Sequence, residues 1–258
     1  MSDAFYLREG DAFRATVFTR GPWSRDHQHA GPPSALLARA LEAATKLHLV
    51  RITVEIERPI PIGRLETRAE VARPGKRVEF LDGELLAEGK RVARCRGLAV
   101  RETELVFGEL PPPPRPSIPS PEDSPETCFP FFRWDEGYHR AMEQRRAHGD
   151  WGGRSAGLWM RPRVPLVAGE MTSPMQRVVI AADSNNGVAN VLDKDRFVFI
   201  NPDLTVTLFR APVSDWVCLD AVSYPQPEGW GMAESLLLDE EGPIGRSTQS
   251  LLVDAAPK

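Results

Sequence analysis

Cysteine is scarce in this sequence, and long apolar runs are missing from it. The 258 residues include three cysteines, Cys95, Cys128 and Cys218. This odd number, at no spacing typical of metal ligands, predicts no disulfide framework and a reducing, cytoplasmic environment. No run of about 18 apolar residues occurs, which argues against membrane insertion. The first residues are polar and acidic, so we predict no signal peptide.

An excess of positive charge is also missing. The chain has 32 Lys and Arg against 36 Asp and Glu, for a net charge of −4, whereas a nucleic-acid partner needs a basic face. There is no Gly-x-Ser-x-Gly elbow, no P-loop and no dinucleotide fingerprint. These absences disfavour nucleic-acid binding, a Ser-His-Asp hydrolase, nucleotide hydrolysis and hydride transfer.

Proline, in contrast, is abundant and clustered. Several of the 24 prolines lie between residues 111 and 121. Because proline fixes φ and lacks an amide donor, this stretch is predicted to be an extended connector, with a partner-binding proline motif as the alternative. We therefore predict an N-terminal repeat over residues 1–110, a connector over 111–126 and a C-terminal repeat over 127–258.

The segments on the two sides of the connector repeat at a constant offset. Residues 52–58 (ITVEIER) alternate apolar and polar side chains as a half-buried strand does, and residues 204–210 (LTVTLFR) show the same pattern. The offset, 204 minus 52, is 152 positions, and it also relates residues 85–86 to 237–238 and 92–94 to 244–246. Three matches in the same order indicate a duplication.

Each half also carries one helix-forming segment. Residues 32–44 begin with two prolines and continue with strong helix formers that are apolar on nearly every face, which predicts a buried helix. Residues 173–176 (SPMQ) have the form of a capping box, and residues 178–182 continue that helix to Asp183. Strand-like segments follow each helix, at 49–58, 63–73, 77–88 and 91–101, and then at 197–210, 216–223, 229–239 and 245–253. The predicted fold class is α+β, a tandem (double) hot-dog in which two antiparallel sheets each wrap a central helix.

Four segments in this order resemble the double hot-dog acyl-CoA thioesterases of the thioesterase II type. They are residues 21–33 (GPWSRDHQHAGPP), 182–187 (ADSNNG), 201–206 (NPDLTV) and 245–249 (GRSTQ), and the resemblance covers essentially the whole chain. It implies hydrolysis of acyl-CoA to free acid and CoA with no metal or organic cofactor. It also implies a homo-oligomer, which we further expect because unpaired sheet edges need covering.

Three residues of the second half are the predicted catalytic group. In the family that the chain resembles, an Asp at the place of Asp183 orients and deprotonates the attacking water, although this Asp could equally end its helix. Gln249 matches a Gln of the water-holding network, with an outward-facing strand residue as the alternative. Asn201 stands where the family commonly has Thr. Its amide can hydrogen-bond the water or Asp183, or form an Asx turn.

Two residues before the first helix are predicted to bind substrate. Gly31 precedes two prolines and offers an N–H at a helix N-terminus, which we expect to stabilise the oxyanion of the thioester. His29 is expected to line the same cleft or to fix the loop. His27 and His29 lack a nearby third ligand, so no metal site is predicted.

Two other functions stay open. A 2-enoyl-CoA hydratase on the same fold needs an Asp/His pair across one site, and His29 lies in a loop that could face Asp183. The Asn at position 201 also leaves open a non-catalytic acyl-CoA or lipid-binding protein. Tests of crotonyl-CoA hydration and of binding without turnover separate these functions.

Overall fold

The structure is a computed structural model that describes residues 3–111 and 113–256. Residues 1–2, 112 and 257–258, which belong to the predicted polar N-terminus, connector and C-terminal repeat, lie outside the described residues. The first half contains β1 (Tyr6–Glu9), β2 (Ala12–Ala15), a 3-10 turn (Val17–Thr19), α1 (Gly31–Ala44), β3 (His48–Ile56), β4 (Arg64–Arg73), β5 (Val78–Ala87) and β6 (Lys90–Val100). The second contains α2 (Tyr138–Ala141), β7 (Met142–His148), β8 (Ser155–Pro162), α3 (Pro174–Ala182), α4 (Asn185–Val188), β9 (Phe197–Ile200), β10 (Asp203–Leu208), β11 (Val217–Pro225), β12 (Trp230–Asp239) and β13 (Gly242–Ala255).

The described strands form one antiparallel sheet, which corrects the prediction of two. Its order is β1-β2-β4-β5-β6-β3-β10-β13-β12-β11-β8-β7, with β9 beside β13. The halves join where β3 pairs with β10, because each strand would otherwise leave a row of unpaired backbone groups. Thr53 lies opposite Thr205 at this junction, and their hydroxyl oxygens are 3.0 Å apart. Since these two residues are themselves 152 positions apart, a local two-fold axis passes between them.

The pairing register follows the predicted offset. Leu85 lies opposite Ala93 in the first half, and Leu237 lies opposite Gly245 in the second.

The short strands β1, β2, β7 and β8 precede the helices and were not predicted. Their four to eight residues carry too little alternation to distinguish them from loops.

Both outer edges of the sheet are covered by the chain itself. The Tyr6 N–H of β1 donates to the Leu166 carbonyl at 2.9 Å, and the Arg146 N–H of β7 donates to the Pro125 carbonyl at 2.8 Å. The edges therefore give no reason for a second copy, and the predicted homo-oligomer stays a prediction.

The two main helices lie on the inner face of the sheet and contact each other. α1 packs against β3–β6, and α3 packs against β8, β10 and β11. The predicted capping box is present, because the Gln176 N–H donates to Ser173 Oγ at 3.2 Å and the Ser173 N–H donates to Gln176 Oε1 at 3.3 Å. Gly31 allows the close approach of the helices, since a Cβ at this position would collide with the Ile180 carbonyl oxygen.

The described proline-rich residues of the connector have an irregular structure. Residue 111 and residues 113–120 of the connector form no helix or strand, as expected where proline removes amide donors. Within the described residues, no helix has the length and apolar character needed to cross a bilayer. The repeat boundaries at residues 110 and 126 stay predictions.

Candidate active site

Asp183 lies where α3 ends, and its side chain is 3% exposed. Two amide side chains converge on one of its carboxylate oxygens. Asn201 Nδ2 donates to Asp183 Oδ1 at 2.8 Å, and Gln249 Nε2 lies 3.3 Å from the same oxygen. The structure thus brings together the three predicted catalytic residues, which are distant in sequence.

Gln249 holds the backbone around Asp183 as well as its carboxylate. Its Nε2 donates to the Asp183 carbonyl at 3.0 Å, and its Oε1 accepts from the Asn186 N–H at 3.2 Å. The side chain faces inward from β13 and is buried, which excludes the outward-facing alternative. Because both ends of the amide are engaged, Gln249 orients Asp183 and the start of α4.

Asn201 makes the predicted hydrogen bond to Asp183, and its amide donates to a backbone carbonyl instead of accepting from a backbone N–H as in an Asx turn. It lies in the turn between β9 and β10, where its Nδ2 donates to the Asp203 carbonyl at 3.1 Å as well as to Asp183. The turn contact fixes the amide, so its second N–H is aimed at the carboxylate.

His29 contacts the other carboxylate oxygen. Its Nδ1 lies 2.9 Å from Asp183 Oδ2 and also accepts from the Gly31 N–H at 3.2 Å. One ring nitrogen cannot accept from Gly31 and donate to Asp183 together, so the two contacts belong to different protonation states of the ring. The Gly31 N–H is engaged by His29 when it makes this contact, and its predicted oxyanion role stays a prediction.

Tyr138 supports His29 from the side opposite the cavity. The two rings stack with centroids 3.8 Å apart and planes inclined by 7°. The Tyr138 hydroxyl donates to the Ile180 carbonyl at 2.8 Å and lies 2.9 Å from Ser184 Oγ. Burial raises the pKa of Tyr138, so the phenol stays protonated. Nothing in the sequence distinguished this tyrosine from an ordinary core aromatic.

A cavity of about 740 Å³ opens beside this group. Asp183, His29 and Asn201 line it, and Gln249 and Gly31 lie behind them. The lining includes apolar and aromatic side chains as well as exposed charged ones. The lining comprises residues 21–24, 27–30, 56–60, 129, 131–133, 183–184, 186–187, 194–195, 198–202 and 256.

Comparison with known protein families shows the family of this chain. The family model for the acyl-CoA thioesterase C-terminal domain matches residues 114–253, and the model for the N-terminal domain matches residues 19–101. The chain belongs to the acyl-CoA thioesterase family. A comparison with curated proteins gives no match.

Solved structures show the fold that this acyl-CoA thioesterase family member shares. A protein of Thermobifida fusca YX provisionally named a thioesterase II is 16% identical, with a TM-score of 0.76 over 98% of this chain and 95% of that one. A hot-dog fold protein of Alicyclobacillus acidocaldarius is 14% identical, with a TM-score of 0.74 over 98% and 96%. The acyl-CoA thioesterase II TesB2 of Mycobacterium marinum is 14% identical, with a TM-score of 0.67 over 96% and 94%. These similarities support the predicted hot-dog fold.

Proposed function

We propose that this family member is a tandem hot-dog enzyme that hydrolyses acyl-CoA thioesters with a water activated at Asp183. The observation that carries the proposal is the carboxylate of Asp183, which lines the cavity while two amides hold its Oδ1. A buried carboxylate with a fixed orientation is suited to accept a proton from a water within hydrogen-bonding reach.

The proposed reaction uses a second oriented group. The water loses a proton to Asp183 as its oxygen bonds to the thioester carbon, and the resulting oxyanion needs a donor. When His29 Nδ1 accepts from Gly31, the ring proton is on Nε2, which makes no hydrogen bond to any described residue. We assign the oxyanion contact to this Nε2–H. The C–S bond then breaks, and the proton held by Asp183 neutralises the CoA thiolate.

The duplication supports CoA as the acyl carrier. In the second half, Arg210 binds Asp239, whose side chain is fully buried. The first-half counterpart of Asp239, at 239 minus 152, is Ala87, so the counterpart of Arg210, Arg58, lacks this partner. Arg58 is exposed on the cavity rim and makes no ion pair with a described residue. A free guanidinium there suits the phosphates of CoA.

Comparing two carriers tests this assignment. Arg58→Ala is expected to raise KM for an acyl-CoA by about tenfold, as one charge-assisted hydrogen bond would, and to leave KM for the same acyl-pantetheine unchanged. Arg94→Ala is the matched control, because Arg94 pairs with Glu55 on the exposed face of the sheet. Equal effects of Arg58→Ala on both carriers would contradict the phosphate contact.

Thiol release from a panel of acyl-CoAs with short, medium and long chains tests the reaction itself. We expect turnover by the wild type and none that depends on added metal or cofactor. A folded wild type that releases no thiol from any of them would refute the proposed hydrolysis.

One observation favours a second candidate. The 2.9 Å contact of His29 with Asp183 is an Asp/His pair of the kind that a 2-enoyl-CoA hydratase uses. Incubation with crotonyl-CoA separates the two reactions, because hydration removes the conjugated enoyl absorbance without releasing thiol. Tight binding with neither change would indicate the non-catalytic acyl-CoA or lipid-binding protein. The cytoplasmic location stays a prediction.

A further inference from the structure

An aromatic segment, residues 129–132 (FPFF), packs against α4, the short helix that follows Asp183. A Cβ built on Gly187 of α4 would lie 2.9 Å from Phe131 Cζ and 3.6 Å from Phe129 Cε1. The first distance is shorter than real Cβ contacts, so an added Cβ would force the tip of the Phe131 ring to shift. The ring and Gly187 both line the cavity.

The aromatic segment is held at both ends. The Phe129 N–H donates to Gln144 Oε1 at 3.0 Å, and Gln144 is itself buried. Trp134, just beyond the segment, donates from Nε1 to the Gly21 carbonyl at 2.9 Å. The rings of Phe129 and Phe131 pack with centroids 5.2 Å apart. These contacts make the segment a fixed wall of the cavity.

The cavity lining combines charged side chains with aromatic rings. Exposed charges such as Arg58 suit a charged carrier, and the ring of Phe131 suits an acyl chain. An acyl chain that packs on the aromatic part of the lining meets the Phe131 ring, which lies against α4, the helix that begins two residues after Asp183.

We propose that Phe131 closes the acyl end of the cavity and makes the enzyme prefer short acyl chains to long ones. The inference rests on the proposed function and adds its acyl specificity. Removing the ring opens space for further methylenes, each of which contributes about fourfold in kcat/KM when buried, equivalent to about 0.8 kcal/mol.

Chain-length selectivity of three variants is the test. The measured quantity is the ratio of kcat/KM for a long acyl-CoA to that for a short one, because a general loss of catalysis cancels in it. Phe131→Ala is expected to raise the ratio by more than about tenfold. Gly187→Ala is expected to lower it, because the added methyl crowds the ring, and the double variant is expected to recover the long chain.

Phe107→Ala is the matched control, since Phe107 is 67% exposed in the irregular stretch after β6, and it should leave the ratio unchanged. A Phe131→Ala variant that folds but shifts the ratio by less than about twofold would overturn the proposal. So would a Gly187→Ala variant that favours long chains.

Binding distinguishes this failure from failure of the proposed function. Non-hydrolysable thioether analogues of the same two acyl-CoAs, titrated calorimetrically, report the chain-length preference without catalysis. If the wild type binds them but hydrolyses nothing, the proposed function fails. In that case a larger long-to-short affinity ratio in Phe131→Ala would still support the wall, and an unchanged ratio would overturn it.

Discussion

Replacing Asn201 with Asp tests the coupling of this residue to the proposed base. The change keeps the shape of the side chain and replaces a donor 2.8 Å from Asp183 Oδ1 with a second carboxylate. Two such charges about 4 Å apart repel by about 4 kcal/mol at an effective dielectric constant of about 20. About 1.4 kcal/mol corresponds to one pH unit, and water in the cavity reduces the repulsion. The pair of carboxylates should therefore hold a proton up to a pH about one to three units higher than in the wild type.

A general base acts only after it has lost its proton. The acidic limb of the kcat/KM profile of Asn201→Asp should therefore move up by about one to three pH units, with the loss of activity largest at low pH. Asn190→Asp is the matched control, because Asn190 binds the backbone of Leu192 and does not line the cavity. A folded Asn201→Asp enzyme whose acidic limb coincides with that of the wild type would refute the idea that Asp183 is the titrating base.

Two further predictions concern the scaffold. Burial raises the pKa of Asp239, but hydrogen bonds from Arg210 and two backbone N–H groups outweigh it and hold that pKa below its usual range. The stabilisation that ionised Asp239 gives the folded state is therefore complete above about pH 4, and it is lost as the pH falls through the lower pKa that Asp239 has in the folded protein. In urea unfolding at neutral pH, Asp239→Ala should lower the free energy of unfolding by about 3 kcal/mol. Asp82→Ala, which breaks an exposed ion pair, should lower it by less than about 1 kcal/mol. Equal losses would contradict this prediction. Burial raises the pKa of Cys95 to about 12 and also raises that of the half-buried Cys128, so a disulfide reagent should modify Cys128 first in the native protein, and equal rates would contradict this order.

Much of the fold could be predicted because it follows from local pattern. Alternation in residues 52–58 and 204–210, the capping box at Ser173 and the apolar pattern of residues 32–44 each report on nearby residues alone. Pairing between distant strands leaves no such signal. The hydrogen bond between Thr53 and Thr205 that joins the halves into one sheet therefore became evident only in the structure.

The candidate site likewise has features that could be predicted from the sequence and features that could not. The resemblance pointed to Asp183, Asn201 and Gln249, and the structure places their side chains in contact. Their catalytic roles stay proposals. The N–H of Gly31 was expected to face the substrate because helix N-termini expose donors, but here His29 accepts from it. That outcome depends on a side-chain conformation, which sequence spacing does not determine.

Thiol release by Asp183→Asn tests the central claim most directly. The variant keeps the size of the side chain and removes the proton acceptor, so kcat on the best acyl-CoA should fall by about a hundredfold to ten-thousandfold while unfolding and substrate binding stay near those of the wild type. A folded Asp183→Asn enzyme that retains turnover within about tenfold of the wild type would contradict Asp183 as the base.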